Sequence, residues 1–97
     1  MMITEIVFLY IRATRGELFE AAFYEAQQVF TNVKGYLGHE LQKCIETDNK
    51  YVLIVHWNTI EDHTEGFRNS DQYKVWKKLL HHFYDPFPVV EHYKKIF

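Results

Sequence analysis

From Ile3 to Arg12 apolar residues occupy both alternating rows of the chain. Ile6, Phe8 and Tyr10 point one way, and Val7, Leu9 and Ile11 the other. A run with this period and no polar side predicts a strand covered on both faces. A helix follows. Thr14 and Glu17 have the spacing of a capping box, in which each side chain satisfies a backbone donor at the helix start. Leu18, Ala22, Ala26, Val29 and Val33 recur at helical spacing, and Phe19, Phe23 and Phe30 widen the stripe. Gly35 stands where a left-handed residue ends such a helix. In the second strand, Tyr36 to Glu46, the residues Leu37, His39, Leu41, Lys43 and Ile45 alternate with Gly38, Glu40, Gln42 and Cys44, so one face is mainly apolar. Thr47 to Lys50 reads as a hairpin turn. Tyr51 to Trp57 is a third strand, apolar on both sides. Asn58 and Thr59 open a short helix that ends near Gly66. Asn69 or Ser70 caps another, with Tyr73, Trp76, Leu79, Leu80 and Phe83 as its inner stripe. Asp85-Pro86-Phe87-Pro88 stops it, and Val89 to Ile96 forms a last, weakly alternating strand.

The order is βαββαβ, with the second helix in two pieces. In a ferredoxin-like sheet of this order the first and third strands are central and the second and fourth are edges. The two strands apolar on both faces are the first and third, which fits. The expected fold is therefore α+β with a four-stranded antiparallel sheet. Right-handed crossovers put both helices on one face of it. The other face keeps apolar side chains, and a second copy of the chain is the simplest cover for them. A homodimer is the expectation.

Length and composition sharpen this. At 97 residues the chain is read as one domain, residues 1–97, with a thin stability margin. Yet 47% of residues are hydrophobic and 18% aromatic, more than a lone small core needs, so a pocket or a partner must use some of them. The net charge of −2 and the scattered Lys and Arg residues give no basic footprint for nucleic acid. The single cysteine, Cys44, excludes an internal disulfide and a Cys-rich metal site. The run Met1 to Glu5 lacks a basic leader region, and Ile6 to Ile11 is too short for a membrane span. A cytoplasmic protein with no membrane partner is expected.

The segment from Trp57 to Tyr93 carries further information. Its landmarks are the Trp that ends the third strand, Thr59-x-Glu61-Asp62-His63, Gly66-Phe67-Arg68, Ser70-x-x-Tyr73-x-x-Trp76 and Pro88-x-x-Glu91-His92-Tyr93. Together with Gly35-Tyr36-Leu37-Gly38, this resembles the antibiotic biosynthesis monooxygenase family over essentially the whole chain. The resemblance implies a dimeric α/β barrel, with a small pocket between sheet and helices in each subunit. It also implies cofactor-independent oxidation of a phenolic or quinol-like compound by O2, although relatives include haem-degrading enzymes. Those use an Asn, a Trp and an axial His. This chain has Tyr10, Phe67 and Lys77 near those places, so that activity does not carry over. The phenol-oxidising members use an Asn, Trp, Arg and Tyr set, for which Asn58, Trp57, Arg68 and Tyr84 are the residues of matching type.

Such chemistry needs an apolar pocket, a stabiliser for an oxyanion and a base near neutrality. His63, beside Trp57 in the family-like segment, is the first choice of base; the plain reading is a surface or capping histidine. Arg68 is the candidate to stabilise an anion, or else a clamp on a helix end. Trp57 is the candidate indole donor, or else a packed core residue. Tyr10, His56, Phe67, Tyr73, Trp76 and Phe83 are the expected pocket wall, each with a core role as the alternative. His81 and His82 end the last helix, where its dipole favours them. No metal site is expected: His39 and His56 on paired strands share a face in one register only, and no third ligand is evident. The leading expectation is thus a cofactor-free monooxygenase acting on a small aromatic molecule. The alternatives are a non-catalytic dimeric ligand-binding or stress-response module, and an isomerase or lyase acting on a small carbonyl compound.

Overall fold

The computed structural model describes residues 2–97; Met1, which begins the run weighed as a leader, lies outside them. Four strands form one sheet in the order β2-β3-β1-β4, with every neighbouring pair antiparallel. They are β1 (Ile3–Tyr10), β2 (Tyr36–Lys43), β3 (Lys50–Trp57) and β4 (Val90–Lys94). The predicted central and edge strands are as observed. Helix α1 (Gly16–Ala26) continues as a 3-10 turn through Asn32. Helix α2 (Asp71–Leu80) is preceded by a π-helical turn, Asp62–Phe67. The backbone measures 38 × 34 × 19 Å, a slab of one sheet and one helical layer.

The period of the strands sorts the two faces. Val7, Leu9 and Ile11 from β1 and its extension, and Tyr51, Leu53, Val55 and Trp57 from β3, are buried toward the helices. From α1 and its 3-10 extension come Phe19, Phe23, Ala26 and Phe30, and from α2 come Trp76 and Leu80. The aromatic rings interlock: Phe30 lies 4.9 Å from Trp76 and Phe19 lies 5.0 Å from Tyr51, centroid to centroid and tilted. On the outer face Phe8 and Tyr10 are about half exposed, with the Lys50 ammonium over both rings. In the single chain, therefore, the second apolar face of β1 is uncovered.

Three local expectations are corrected. The capping box of Thr14 and Glu17 does not form. The turn after Ile11 puts Thr14 at φ 64°, and α1 starts one residue later, from Arg15, without a side-chain cap. Leu18 falls outside the buried stripe at 53% exposure, and the Phe row takes its place. In β2 the alternation slips at a bulge between Tyr36 and Gly38. The extra residue turns Leu37 outward and leaves Tyr36, His39 and Leu41 on the helix side.

Other signals act as read. Ser70 caps α2 by accepting the Tyr73 amide, and Thr59 accepts the Asp62 amide at the start of the short helix. Gly35 has the left-handed backbone expected of it, φ 81°, and the Asp62 side chain fills the space a Cβ would need. Its carbonyl accepts the Asn58 amide at 2.7 Å, which ties the start of β2 to the segment carrying the π turn. No helix among the described residues is long and apolar enough to cross a membrane.

Candidate functional site

The π turn sets the site. In a π-helical turn, wound by i→i+5 bonds, residues four apart lie nearly on one face. His63 and Phe67 are the two buried residues of this turn. The i→i+5 bond from the Arg68 amide to the His63 carbonyl, 3.2 Å, confirms the wide winding. His63 stacks on Trp57, with centroids 5.2 Å apart and planes 19° apart.

Beneath His63 lies Glu5. It stands on the inward row of β1 with Val7 and Leu9 and is only 6% exposed. Trp57 donates its indole N–H to Glu5 Oε1 at 2.9 Å. His63 Nε2 lies 3.4 Å from the same oxygen. On its other side His63 Nδ1 is 2.8 Å from His92 Nε2 of β4. Glu5 and His92 are themselves directly opposite one another on paired strands.

Burial decides the charge state of this group. Removing the Glu5 carboxylate from water raises its pKa from 4.5 to about 7, although the Trp57 hydrogen bond and the Arg68 charge pull the other way. Burial, helped by the nearby Arg68 and His92, lowers His63 from 6.5 to about 3. His92 is lowered in the same sense, by burial and then Arg68. Near neutrality His63 is an uncharged imidazole, and Glu5 is the group that titrates.

Glu5 faces a cavity of about 400 Å³ between the sheet and α2. Val7, Leu9, Leu53 and Val90 make its apolar floor. Tyr73, Trp76, Tyr84 and Phe87 supply aromatic walls, and Arg68 and His81 add polar groups. Arg68 makes no ion pair among the described residues. An apolar cavity with a few convergent polar groups and a perturbed carboxyl is the usual form of a small-molecule site.

The sequence-based candidates separate against this geometry. Arg68, Tyr73 and Trp76 line the cavity. Phe67 is buried behind it, between Trp57, His63 and Tyr73. Trp57 does not offer its N–H to the cavity, because Glu5 takes it. His63 reaches the cavity only through Glu5. Tyr10 and His56 belong to the opposite face: Tyr10 follows Phe8 on the outer row, and His56 bonds Thr4 there at 3.1 Å. Both are corrected, since alternation carries them away from the helices. Phe83 is also corrected; it packs on Phe19 at 5.8 Å, away from the cavity. His39 and His56 stand on opposite faces, with His39 bonded to Gln27 and Tyr36. Among the described residues no group of three or more His, Cys, Asp or Glu side chains is placed to hold a metal ion. The residues not anticipated are Glu5, His81 and Phe87, with His92 as a partner of His63.

Comparison with known proteins gives this architecture a family. The sequence pattern described as antibiotic biosynthesis monooxygenase (ABM) matches residues 2–79. The chain belongs to the ABM family. A Bacillus subtilis (strain 168) relative, the uncharacterized protein YczJ, is 48% identical over 95 residues, covering 98% of this chain and all of that protein. A provisionally named antibiotic biosynthesis monooxygenase from Bordetella bronchiseptica is 32% identical and superposes with a TM-score of 0.93, over 99% of this chain and 98% of that one. SnoaB, a cofactor-independent oxygenase from Streptomyces nogalater, shares the fold at 17% identity, with a TM-score of 0.75 over 98% of this chain and 96% of that one.

The raised carboxyl makes a stability prediction for this ABM protein. A carboxyl whose folded pKa lies above its unfolded value stabilises the fold fully below the unfolded value and ceases to as pH rises through the folded one. Between about pH 4.5 and 7 the native state holds the Glu5 proton and the unfolded state does not. The wild type should therefore lose up to about 3 kcal/mol relative to Glu5→Gln as pH rises across this window. Urea unfolding of both proteins at intervals from pH 5 to 8 measures it. Parallel stability curves would contradict the assignment.

Proposed function

We propose that this ABM protein is a cofactor-independent monooxygenase acting on a small phenolic or quinol-like compound. The observation that carries this reading is Glu5 on the lining of an aromatic-walled cavity, with Arg68 on the same lining and in no ion pair among the described residues. Family membership supports monooxygenation. The cavity supports a substrate of one to three fused rings, and the Arg68 guanidinium suits an enolate or phenolate oxygen. In its ionised form Glu5 removes a proton from an acidic C–H or O–H of the substrate. Arg68 stabilises the anion that remains, which can pass an electron to O2. For an anthrone-like methylene, both C–H bonds are broken and a carbonyl forms at that carbon. One atom of O2 becomes the carbonyl oxygen, and the other leaves as water with the two hydrogens. The substrate supplies all four electrons, so no separate reductant is consumed. Glu5 thus takes the role that sequence reasoning gave to His63, and His63 and Trp57 hold it.

The test is oxygen uptake with a panel of anthrones and hydroquinones, with product identified by mass spectrometry. Wild-type protein should oxidise at least one of them with incorporation of one oxygen atom from isotopically labelled dioxygen. Glu5→Gln should lower kcat about 10²- to 10⁴-fold, the usual range for loss of a general base. Saturable binding across the panel without oxygen uptake would replace this reading with the ligand-binding module.

The same proposal includes a homodimer through the outer sheet face, supported by the half-exposed Phe8 and Tyr10 beside Ile6, Val52 and Ile54 at the centre of that face. A cytoplasmic setting is part of it, supported by the lone unpaired Cys44. Light scattering should give twice the 11.8 kDa chain mass. Phe8→Glu should shift it toward the single chain; a wild-type mass of one chain would remove the dimer.

A further inference from the structure

An occupied cavity raises a problem for Glu5. Glu5 is only 6% exposed, and it lines the cavity. Once a ligand fills that space, the carboxyl can exchange its proton with water only through protein groups. Two such groups are in line. His63 Nε2 is 3.4 Å from Glu5 Oε1, and His63 Nδ1 is 2.8 Å from His92 Nε2. His92 lies on β4, the edge strand, and is half-buried, so its ring spans from His63 toward solvent. Its ring makes no other hydrogen bond among the described residues.

We propose that Glu5, His63 and His92 form a proton relay that connects the cavity carboxyl to solvent at the β4 edge of the sheet while the cavity is occupied. The proposal rests on Glu5 being the working base of the cavity. It assigns functions to His63 and His92 that neither has by touching a ligand.

The chemistry constrains the relay closely. A neutral Glu5 offers an O–H, so His63 Nε2 must accept, Nδ1 must carry the proton, and His92 Nε2 must accept from it. An ionised Glu5 demands N–H donors. It then takes Trp57 N–H and His63 Nε2–H, while His63 Nδ1 accepts from His92 Nε2–H. Passing between the two states moves one proton across each gap: from Glu5 to His63 Nε2, from His63 Nδ1 to His92 Nε2, and from His92 Nδ1 to water. The relay loses one proton in all, no bond other than N–H and O–H changes, and each ring ends neutral. Run backward, the same steps return a proton to Glu5. His63 never has to become a stable imidazolium, which its buried position disfavours.

Tyr73 of α2 and His81 just after it line the cavity that Glu5 faces. Trp57 at the end of β3 donates to Glu5. Arg68, after the π turn, sets the sign of the local field at all three members. Tyr84, buried and raised above its ordinary range partly by Glu5, stays protonated throughout. The Trp57 indole keeps its hydrogen as well, so the relay has one proton to pass.

A chain that holds His63 in one tautomer at all pH values cannot carry a proton; a relay must let it switch. Long-range proton–nitrogen correlation spectra of wild-type protein labelled with nitrogen-15 at histidine, recorded from pH 5 to 9, distinguish the two. Expected is a paired exchange. His63 Nε2 changes from acceptor-type to donor-type shift as pH rises, His92 Nε2 does the same, and both follow one midpoint. Glu5→Gln should abolish both changes. If either ring keeps its tautomer across the range, the relay is overturned, whatever the oxygen-uptake assays give. If the rings switch together and no panel compound is oxidised, the relay stands and the oxygenase reading falls.

Discussion

One carboxyl group among apolar side chains constrains this end of the molecule. Glu5 sits on the inward row of a central strand, where neighbouring positions are Val7 and Leu9, and burying it unpaired as a charge would cost several kcal/mol. The structure meets that cost in two ways. The Trp57 indole donates to one oxygen, and the carboxyl holds its proton to a pH near neutrality. Each neighbour then follows. Trp57 must end β3 opposite the start of β1 so that its N–H reaches Glu5. His63 must lie flat on that indole, and the π turn is the backbone device that puts it there. Phe67, one π turn on, closes the apolar lid behind the pair.

The same constraint explains where the cavity is. The helical layer covers Glu5 on the side of Trp57 and His63 but leaves a gap toward α2 and the loop after it. Tyr73, Trp76, Tyr84 and Phe87 line this gap and Arg68 stands at its margin. There a carboxyl whose pKa is raised to about 7 shares the lining with the Arg68 guanidinium and aromatic walls. The sheet serves as the rigid platform. Its outer face, which carries Phe8 and Tyr10, takes no part in the cavity.

Much of the fold was legible because two periodicities suffice for it. Both central strands were apolar on both rows, and the helix stripes were dominated by phenylalanine and tryptophan. The candidate site was legible only in part, for a related reason. When both rows of a strand are apolar, alternation says which residues share a face but not which face the helices cover. For this reason Tyr10 and His56 read as cavity residues, although they lie on the other side. Glu5 carried a usable signal, since it shares parity with Val7, Leu9 and Ile11; a lone carboxylate two residues into a strand reads as a frayed polar end. Nothing in the residue order separates a π turn from an α turn. That placed the buried pairing of His63 with His92 beyond sequence reasoning, because it also requires β4 to pair with β1 in one register. The bulge at Leu37 had a signal in Gly38, which takes φ 141° there, since a glycine inside a strand often marks a bulge.

The central claim is that Glu5 is a buried acid poised near neutrality, and the carboxyl resonance of that residue tests it directly. In protein labelled with carbon-13 at glutamate carboxyl groups, the Glu5 signal should titrate with a midpoint near pH 7, well apart from the other glutamates. A Glu5 midpoint near its ordinary value of 4.5 would contradict the account, because the carboxyl would then be a solvated charge and neither the cavity chemistry nor the arrangement around it would follow.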